Sequence, residues 1–249
     1  MNIANEVVFL IFRGKSDISK GELKEYRIEI SEGMVVLDAI RLIQSKYAFD
    51  LAIRCNCRAG KCGACAAEIN GIPRLMCKTQ IADLPLDKPI IVRPLKAFPI
   101  IKDLVTDVSW NYDVNKLIPP FRPKTTDLKM YQEDVERVHE FRKCIECFLC
   151  QNTCHVIREH DKKDVCFGPR FFVRLAGLEM HPFDTEDRLP LLKERGGLGY
   201  CNITKCCTEV CPESIKITDN AIIPLKERLI DRYYDPLKIL FRKLFEPRE

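Results

Sequence analysis

The sequence has no long apolar run. No stretch of about 18 apolar residues occurs in its 249 residues, so no segment is long enough to cross a bilayer as a helix. The opening MNIANEVVFLIFRGK holds only a short apolar run, lacks the other parts of a secretory signal, and predicts none. Histidine is scarce, with four in the chain, and His139, His160 and His181 show no metal-type spacing with one another. Tryptophan occurs once, at Trp110. Charge of one sign is not in large excess: 40 Lys and Arg against 36 Asp and Glu give a formal +4. With 46% hydrophobic and 31% charged residues, the chain can bury one large core or two ordinary ones, and global disorder is excluded.

What the chain has in abundance is cysteine, at 14 residues. In an unexported chain such thiols stay reduced and serve as metal ligands more often than as disulfides. They fall into two groups, Cys55 to Cys77 and Cys144 to Cys211. Between them lie Pro85, Pro89, Pro94, Pro99, Pro119, Pro120 and Pro123, which predict a boundary near residues 105–125. The expected units are residues 1–110 and residues 111–249.

The first unit reads as small and mixed. VVFLIF (7–12) and KEYRIEI (24–30) are strand-like, the latter alternating Tyr26, Ile28 and Ile30. Residues 35–46 place Val36, Ala39, Ile40 and Ile43 on one helical face. Asn70-Gly71 within residues 66–77 signals a hairpin, and residues 89–95 a last strand. The second unit has few strand signals, with helices expected at 132–147 and 221–234. The fold class is α+β: an N-terminal β-grasp ferredoxin domain of plant type, then an all-α domain like a bacterial ferredoxin.

Cys57, Cys62, Cys65 and Cys77 have the spacing C-x4-C-x2-C-x11-C, whose start is the plant-type signature of a [2Fe–2S] centre. One loop must wrap three sulfurs around the cluster, so Gly60 and Gly63 are needed where side chains would clash. Freed N–H groups then donate to the cluster's sulfurs, while Arg58 and Lys61 bring positive charge beside it. A zinc site is the alternative, although structural zinc uses paired knuckles that this overlapping spacing matches poorly. Cys55 has no place in the pattern.

Cys144, Cys147, Cys150 and Cys154 form C-x2-C-x2-C-x3-C, in which the fourth cysteine serves the other of two clusters. The partner run is Cys201, Thr204, Cys207 and Cys211, with the same offsets and with Pro212 following. Crossing the ligands gives a [4Fe–4S] centre on Cys144, Cys147, Cys150 and Cys211. The remaining centre takes Cys154, Cys201 and Cys207, with Thr204 where a fourth thiolate would stand. A threonine hydroxyl is a poor iron ligand beside thiolate, so this centre is expected to be [3Fe–4S]. Losing a negative ligand generally raises the potential, which suits the acceptor end of a chain. Cys206, next to Cys207, is the alternative fourth ligand, and Cys166 stands isolated as a buried apolar thiol. Eleven of the fourteen cysteines are thus assigned. Three clusters of roughly −2 each would bring the formal charge to about −2, which removes the case for nucleic acid.

The order of these three motifs resembles the iron–sulfur subunit of succinate dehydrogenase and fumarate reductase, over nearly the whole chain. EFRKCIECFLCQNTCH and GYCNITKCCTEVCPESIKITDNAIIPLKER resemble a branch found in actinobacteria and some other prokaryotes. The resemblance implies an FAD-binding flavoprotein partner acting on succinate or fumarate, and a membrane-anchor subunit with quinone near the [3Fe–4S] centre. It also implies electron transfer through the [2Fe–2S], [4Fe–4S] and [3Fe–4S] centres in turn, with no substrate chemistry by this chain. The expected location is peripheral, on the cytoplasmic face of a prokaryotic inner membrane. In better-known members a histidine follows the cysteine matched by Cys201, and a tryptophan lies five after the one matched by Cys154. Here those positions hold Asn202 and Glu159. The same motifs admit a linker subunit of a soluble, thiol-dependent fumarate reductase. His155 reads as a surface residue or as a neighbour of quinone. The tail at 236–248, with Lys238, Arg242 and Lys243, reads as a membrane-facing or partner-docking segment.

Overall fold

A computed structural model describes residues 6–16, 20–124 and 129–236. The basic tail beyond Pro236 lies outside the described residues. Strand β1 (Glu6–Arg13) alternates Val7, Phe9 and Ile11 into the core. Antiparallel β2 (Glu22–Glu29) sets Tyr26 opposite Phe9 and Ile28 opposite Val7, so one face of both strands is apolar. Helix α1 (Val36–Lys46) covers that face with Val36, Leu37, Ala39, Ile40 and Ile43. The carboxylate of Asp38 caps its start by accepting the Val35 N–H at 3.2 Å.

Strands β3 (Ala66–Ile69), β4 (Ile72–Leu75) and β5 (Ile90–Arg93) complete a five-stranded sheet in the order β2-β1-β5-β3-β4. Only β1 and β5 run parallel. The Asn70-Gly71 turn has φ of 50° and 80°, the double positive φ of a type I′ hairpin. A two-stranded sheet, β6 (Ile100–Lys102) and β7 (Val105–Thr106), follows.

Past Thr106 the named elements of the described residues are helical, with one isolated bridge between Pro123 and Asp184. They are α2 (Ser109–Asn115), α3 (Gln132–His139), α4 (Leu149–Thr153), α5 (His155–Arg158), α6 (Gly168–Glu179), α7 (Leu189–Leu191), α8 (Cys206–Glu209) and α9 (Ile223–Tyr233), with short 3-10 and π turns between. The helix expected over 132–147 stops early. It ends at His139 and tightens to a 3-10 turn over Glu140–Lys143, after which Cys144 is extended. A continuous helix would space the Cys144 and Cys147 sulfurs along its axis, whereas the observed loop turns them inward. No described helix is long and apolar enough to cross a membrane.

Two apolar cores form, and they are joined. Phe148, Leu149 and Ile157 belong to the first core although they lie within or just after the Cys144–Cys154 run, and Trp110 packs against both cores. Phe148 meets Phe98 and Tyr112 edge-on, at ring separations of 6.1 and 5.6 Å. Beside it, buried Asn152 donates to Glu68 Oε1 at 2.7 Å and accepts the Ala97 N–H at 2.9 Å. Arg158 pairs with Glu68 at 3.3 Å. The proline-rich segment is held rather than loose: buried Arg188 donates to the carbonyls of Pro119 and Pro120 at 2.9 and 2.8 Å.

Asn152→Ala would leave the Glu68 carboxylate to Arg158 alone and strand the Ala97 N–H, costing about 1–3 kcal/mol. Thermal unfolding of the cluster-loaded protein should show the loss as a lower midpoint. Glu159→Gln, which weakens the half-exposed pairs of Glu159 with Lys96 and Arg158, should cost under about 1 kcal/mol. Equal midpoints for the two variants would contradict the role given to Asn152.

Candidate metal centres

The loop before β3 carries three cysteines and the residue two past β4 carries the fourth. The Met76 N–H bonds the Cys65 carbonyl at 3.0 Å, extending the β3–β4 pairing until Cys77 stands beside Cys65. The side chains of Cys77 and Cys65 interact, as do those of Cys62 and Cys57. Gly60 and Gly63 both adopt φ of 69°, the left-handed region that glycine reaches without strain. The Ala59 and Lys61 N–H groups donate to Cys57 Sγ at 3.4 and 3.3 Å. Those donors, with Cys62, bring the exposed Cys57 thiol down to about 7. Burial instead pushes Cys65 up to about 12. Cys55 sits outside the set, its sulfur 4.0 Å from the Arg41 guanidinium. Arg58 is exposed, and Lys61 spans to Glu213 at 3.2 Å.

A second cavity is lined by Cys144, Cys147, Cys150 and Cys211, with Phe148, Arg170, Val173 and Ile215 among its walls. A third is lined by Cys154, Cys201 and Cys207, together with Thr204, Cys206 and Cys166. The two runs are therefore brought together with crossed membership: Cys154 leaves its own run for the third cavity, and Cys211 leaves its own for the second. Burial raises the thiols of Cys144, Cys150 and Cys154, and pushes Cys147 up to about 12 and Cys207 to about 11. Apolar surroundings thus disfavour free thiolates, and a bound cation is what would deprotonate them.

The internal repeat extends to the backbone. Cys144 and Cys201 each follow a 3-10 turn and are extended, with ψ of 115° and 120°. Two and four residues on, both runs adopt positive φ, at Glu146 and Phe148 and at Ile203 and Lys205. Each run then enters a short helix, α4 or α8. Thr204 therefore occupies the backbone position of Cys147. A β-branched Ile203 at φ 62° is strained, which points to a conformation imposed by what the loop must wrap.

The first and second sets touch through Gly63. A Cβ on Gly63 would lie 2.6 Å from the Cys147 Cα. Thiolate sets without carboxylates suit soft iron–sulfur chemistry. Among the described residues no three His, Cys, Asp or Glu side chains converge tightly enough for a single metal ion.

The family described as a 2Fe-2S iron-sulfur cluster binding domain matches residues 8–113. The fumarate reductase iron-sulfur subunit of Wolinella succinogenes is 30% identical, over 87% of this chain and 93% of that protein. A chain of the Mycobacterium smegmatis Sdh1 complex in the apo form is 54% identical, with a TM-score of 0.90 over 94% of this chain and all (100%) of that one. This chain belongs to the iron–sulfur subunits of fumarate reductase and succinate dehydrogenase. One subunit of the fumarate reductase (CoM/CoB) of Methanothermobacter marburgensis is 32% identical over 83% of this chain. The chain spans 41–42% of the length of that protein and of two further archaeal relatives.

For an iron–sulfur subunit, several wall residues escape the cysteine spacing. Cys166 is in the wall of the third cavity, not isolated as its place in the sequence implies. Thr218 Oγ1 is 3.5 Å from Cys207 Sγ, and His155 lines the same cavity. Asn202 is exposed and Glu159 pairs with Lys96 at 3.0 Å, so neither offers an apolar wall.

Gly63→Ala should disturb two centres at once, because the added methyl meets the Cys147 backbone and cannot be relieved by rotating a side chain. Electron paramagnetic resonance of the cluster-loaded, reduced protein should show altered signals from the centres at both cysteine sets. Gly33→Ala, where a methyl meets nothing within 4 Å, is the control and should alter neither. A Gly63→Ala spectrum identical to wild type would refute the contact's importance.

Proposed function

We propose that this chain is the electron-relay subunit of a succinate:quinone oxidoreductase. The observation that carries the reading is the succession of three cysteine sets, the first touching the second at Gly63 and the second sharing its two runs with the third. The assignment is [2Fe–2S] on Cys57, Cys62, Cys65 and Cys77; [4Fe–4S] on Cys144, Cys147, Cys150 and Cys211; and [3Fe–4S] on Cys154, Cys201 and Cys207. Bound there, the clusters supply one-electron transfer between a flavoprotein acting on succinate or fumarate and a membrane quinone.

The chain's own residues do the rest. Residues 1–110 form the ferredoxin domain and residues 111–249 the helical one, docked through Phe148, Asn152 and Glu68. The exposed Cys57 loop is the face turned to the flavoprotein. The Cys201–Lys205 loop, with Tyr200 and Ile203 exposed, is the face turned to a membrane-anchor subunit and quinone. The chain itself is peripheral, on the cytoplasmic side of the membrane. Thr204 supports three irons rather than four at the last centre. Cys206 lines the cavity, but its sulfur lies 3.3 Å from the Thr204 hydroxyl and 3.5 Å from the Thr153 carbonyl, an engagement that favours leaving it out of the ligand set.

The similarity to a fumarate reductase (CoM/CoB) component supplies a second reading, in which the partner of the flavoprotein is not in a membrane. Purification from the native host separates the two: a flavoprotein should accompany the chain in either, a membrane subunit only in the first. Oxidised wild-type protein should show the paramagnetic [3Fe–4S] signal, and Thr204→Cys should abolish it by admitting a fourth iron and lower that centre's potential. Four irons at that position in the wild type would overturn the assignment and turn attention to Cys206. Recovery without any flavoprotein would overturn the function.

A further inference from the structure

We propose that Arg170 sets the potential of the centre held by Cys144, Cys147, Cys150 and Cys211, with Glu146 opposing it. The inference rests on the [4Fe–4S] reading of that site and adds two residues that are not ligands. Arg170, the third residue of α6, is 5% exposed and lines the cavity with those four cysteines. One terminal nitrogen donates to Asn115 Oδ1 at 2.7 Å, and the other pairs with the Glu146 carboxylate. Its Nε–H is buried and meets no protein acceptor. A buried donor in that state is costly unless something accepts from it. Thiolate and sulfide sulfurs bound in the cavity would be such acceptors.

The field of this pair is uneven. The Glu146 side chain is 39% exposed, so water screens the anion, whereas the cation is almost wholly buried. The cavity wall is therefore net positive on this side. Glu146 itself stands behind the wall, and the acid that lines the cavity, Glu213, is engaged by Lys61 at 3.2 Å. Reduction adds one electron and no proton to the centre. A fixed positive charge in the wall stabilises the added charge and raises the potential, and a carboxylate lowers it. Glu146 lies between Cys144 and Cys147 at φ 55°, so the ion pair also ties the ligand loop to α6.

The test is a redox titration of the assembled, cluster-loaded complex followed by electron paramagnetic resonance, comparing Arg170→Gln, Arg170→Lys and Glu146→Gln with wild type. At fixed ambient potential, Arg170→Gln should lower the reduced-to-oxidised ratio of the [4Fe–4S] centre by about tenfold, which is about 59 mV for one electron. Glu146→Gln should raise that ratio, and Arg170→Lys, which keeps the charge, should stay closer to wild type than Arg170→Gln. The [2Fe–2S] and [3Fe–4S] ratios should not move. Opposite signs for the Arg170 and Glu146 variants would not arise from a merely structural role. Unchanged ratios in both, or shifts of the same sign, overturn the proposal. Should Arg170→Gln fail to assemble, Glu146→Gln decides alone: a raised ratio supports the proposal and an unmoved one overturns it. A wild type without any [4Fe–4S] signal would overturn the underlying assignment instead.

Discussion

Everything in this molecule depends on turning sulfurs inward from a chain that would otherwise run as helix or strand. A side chain on a regular helix points outward, so three cysteines within seven residues cannot converge without breaking it. The chain solves this with left-handed residues: Gly60 and Gly63 in the first loop, Glu146 and Phe148 in the second, Ile203 and Lys205 in the third. For the residues that are not glycine such a conformation costs on the order of 1–3 kcal/mol each. The short helices α4 and α8, far too short to be stable alone, are held by what packs around the loops. Packing compensates part of that strain, and bridging of the sulfurs by a bound cluster would compensate more, which would link metal binding to folding.

The same constraint governs how the two halves meet. The first loop and the second approach so closely that Gly63 has no room for a methyl against Cys147. Phe148, left-handed itself, places its ring into the first core, and Asn152 and Glu68 join one turn further on. A large buried aromatic contributes about 1.5–3 kcal/mol, and the polar pair is satisfied only when both halves are docked. Docking and inter-centre proximity are therefore one event. An electron relay needs such rigidity, because its centres must hold their spacing while charge moves through them.

Charge and solvent differ from site to site. At the first set, backbone donors face an exposed Cys57, and the second and third sets are closed in by apolar walls. Arg170 adds a buried cation at the middle site, and Thr218 and Thr204 place hydroxyls at the last. Three sites built from the same thiol therefore present different fields to what they bind, and the chain needs no substrate chemistry of its own to be functionally asymmetric.

By itself the sequence determined everything that repeats at short range. The alternation of Tyr26 and Ile28, the apolar face of α1, the Asn70-Gly71 hairpin and the offsets of both cysteine runs all carry over to the structure, because each depends on residues within about ten positions. The motif order also sufficed for the family. What only the tertiary structure decided lies at long range. The helix through residues 132–147 was cut at His139 because the sulfurs of Cys144 and Cys147 had to turn inward. Cys166, remote from every other cysteine in the chain, entered the third cavity because α6 starts against it. Arg170, Asn152 and Glu68 look like ordinary polar residues in a linear reading, and no spacing rule marks them. Their roles come from burial, which makes an unpartnered donor or carboxylate costly, and burial is set by the packing of segments about 25 to 85 residues apart.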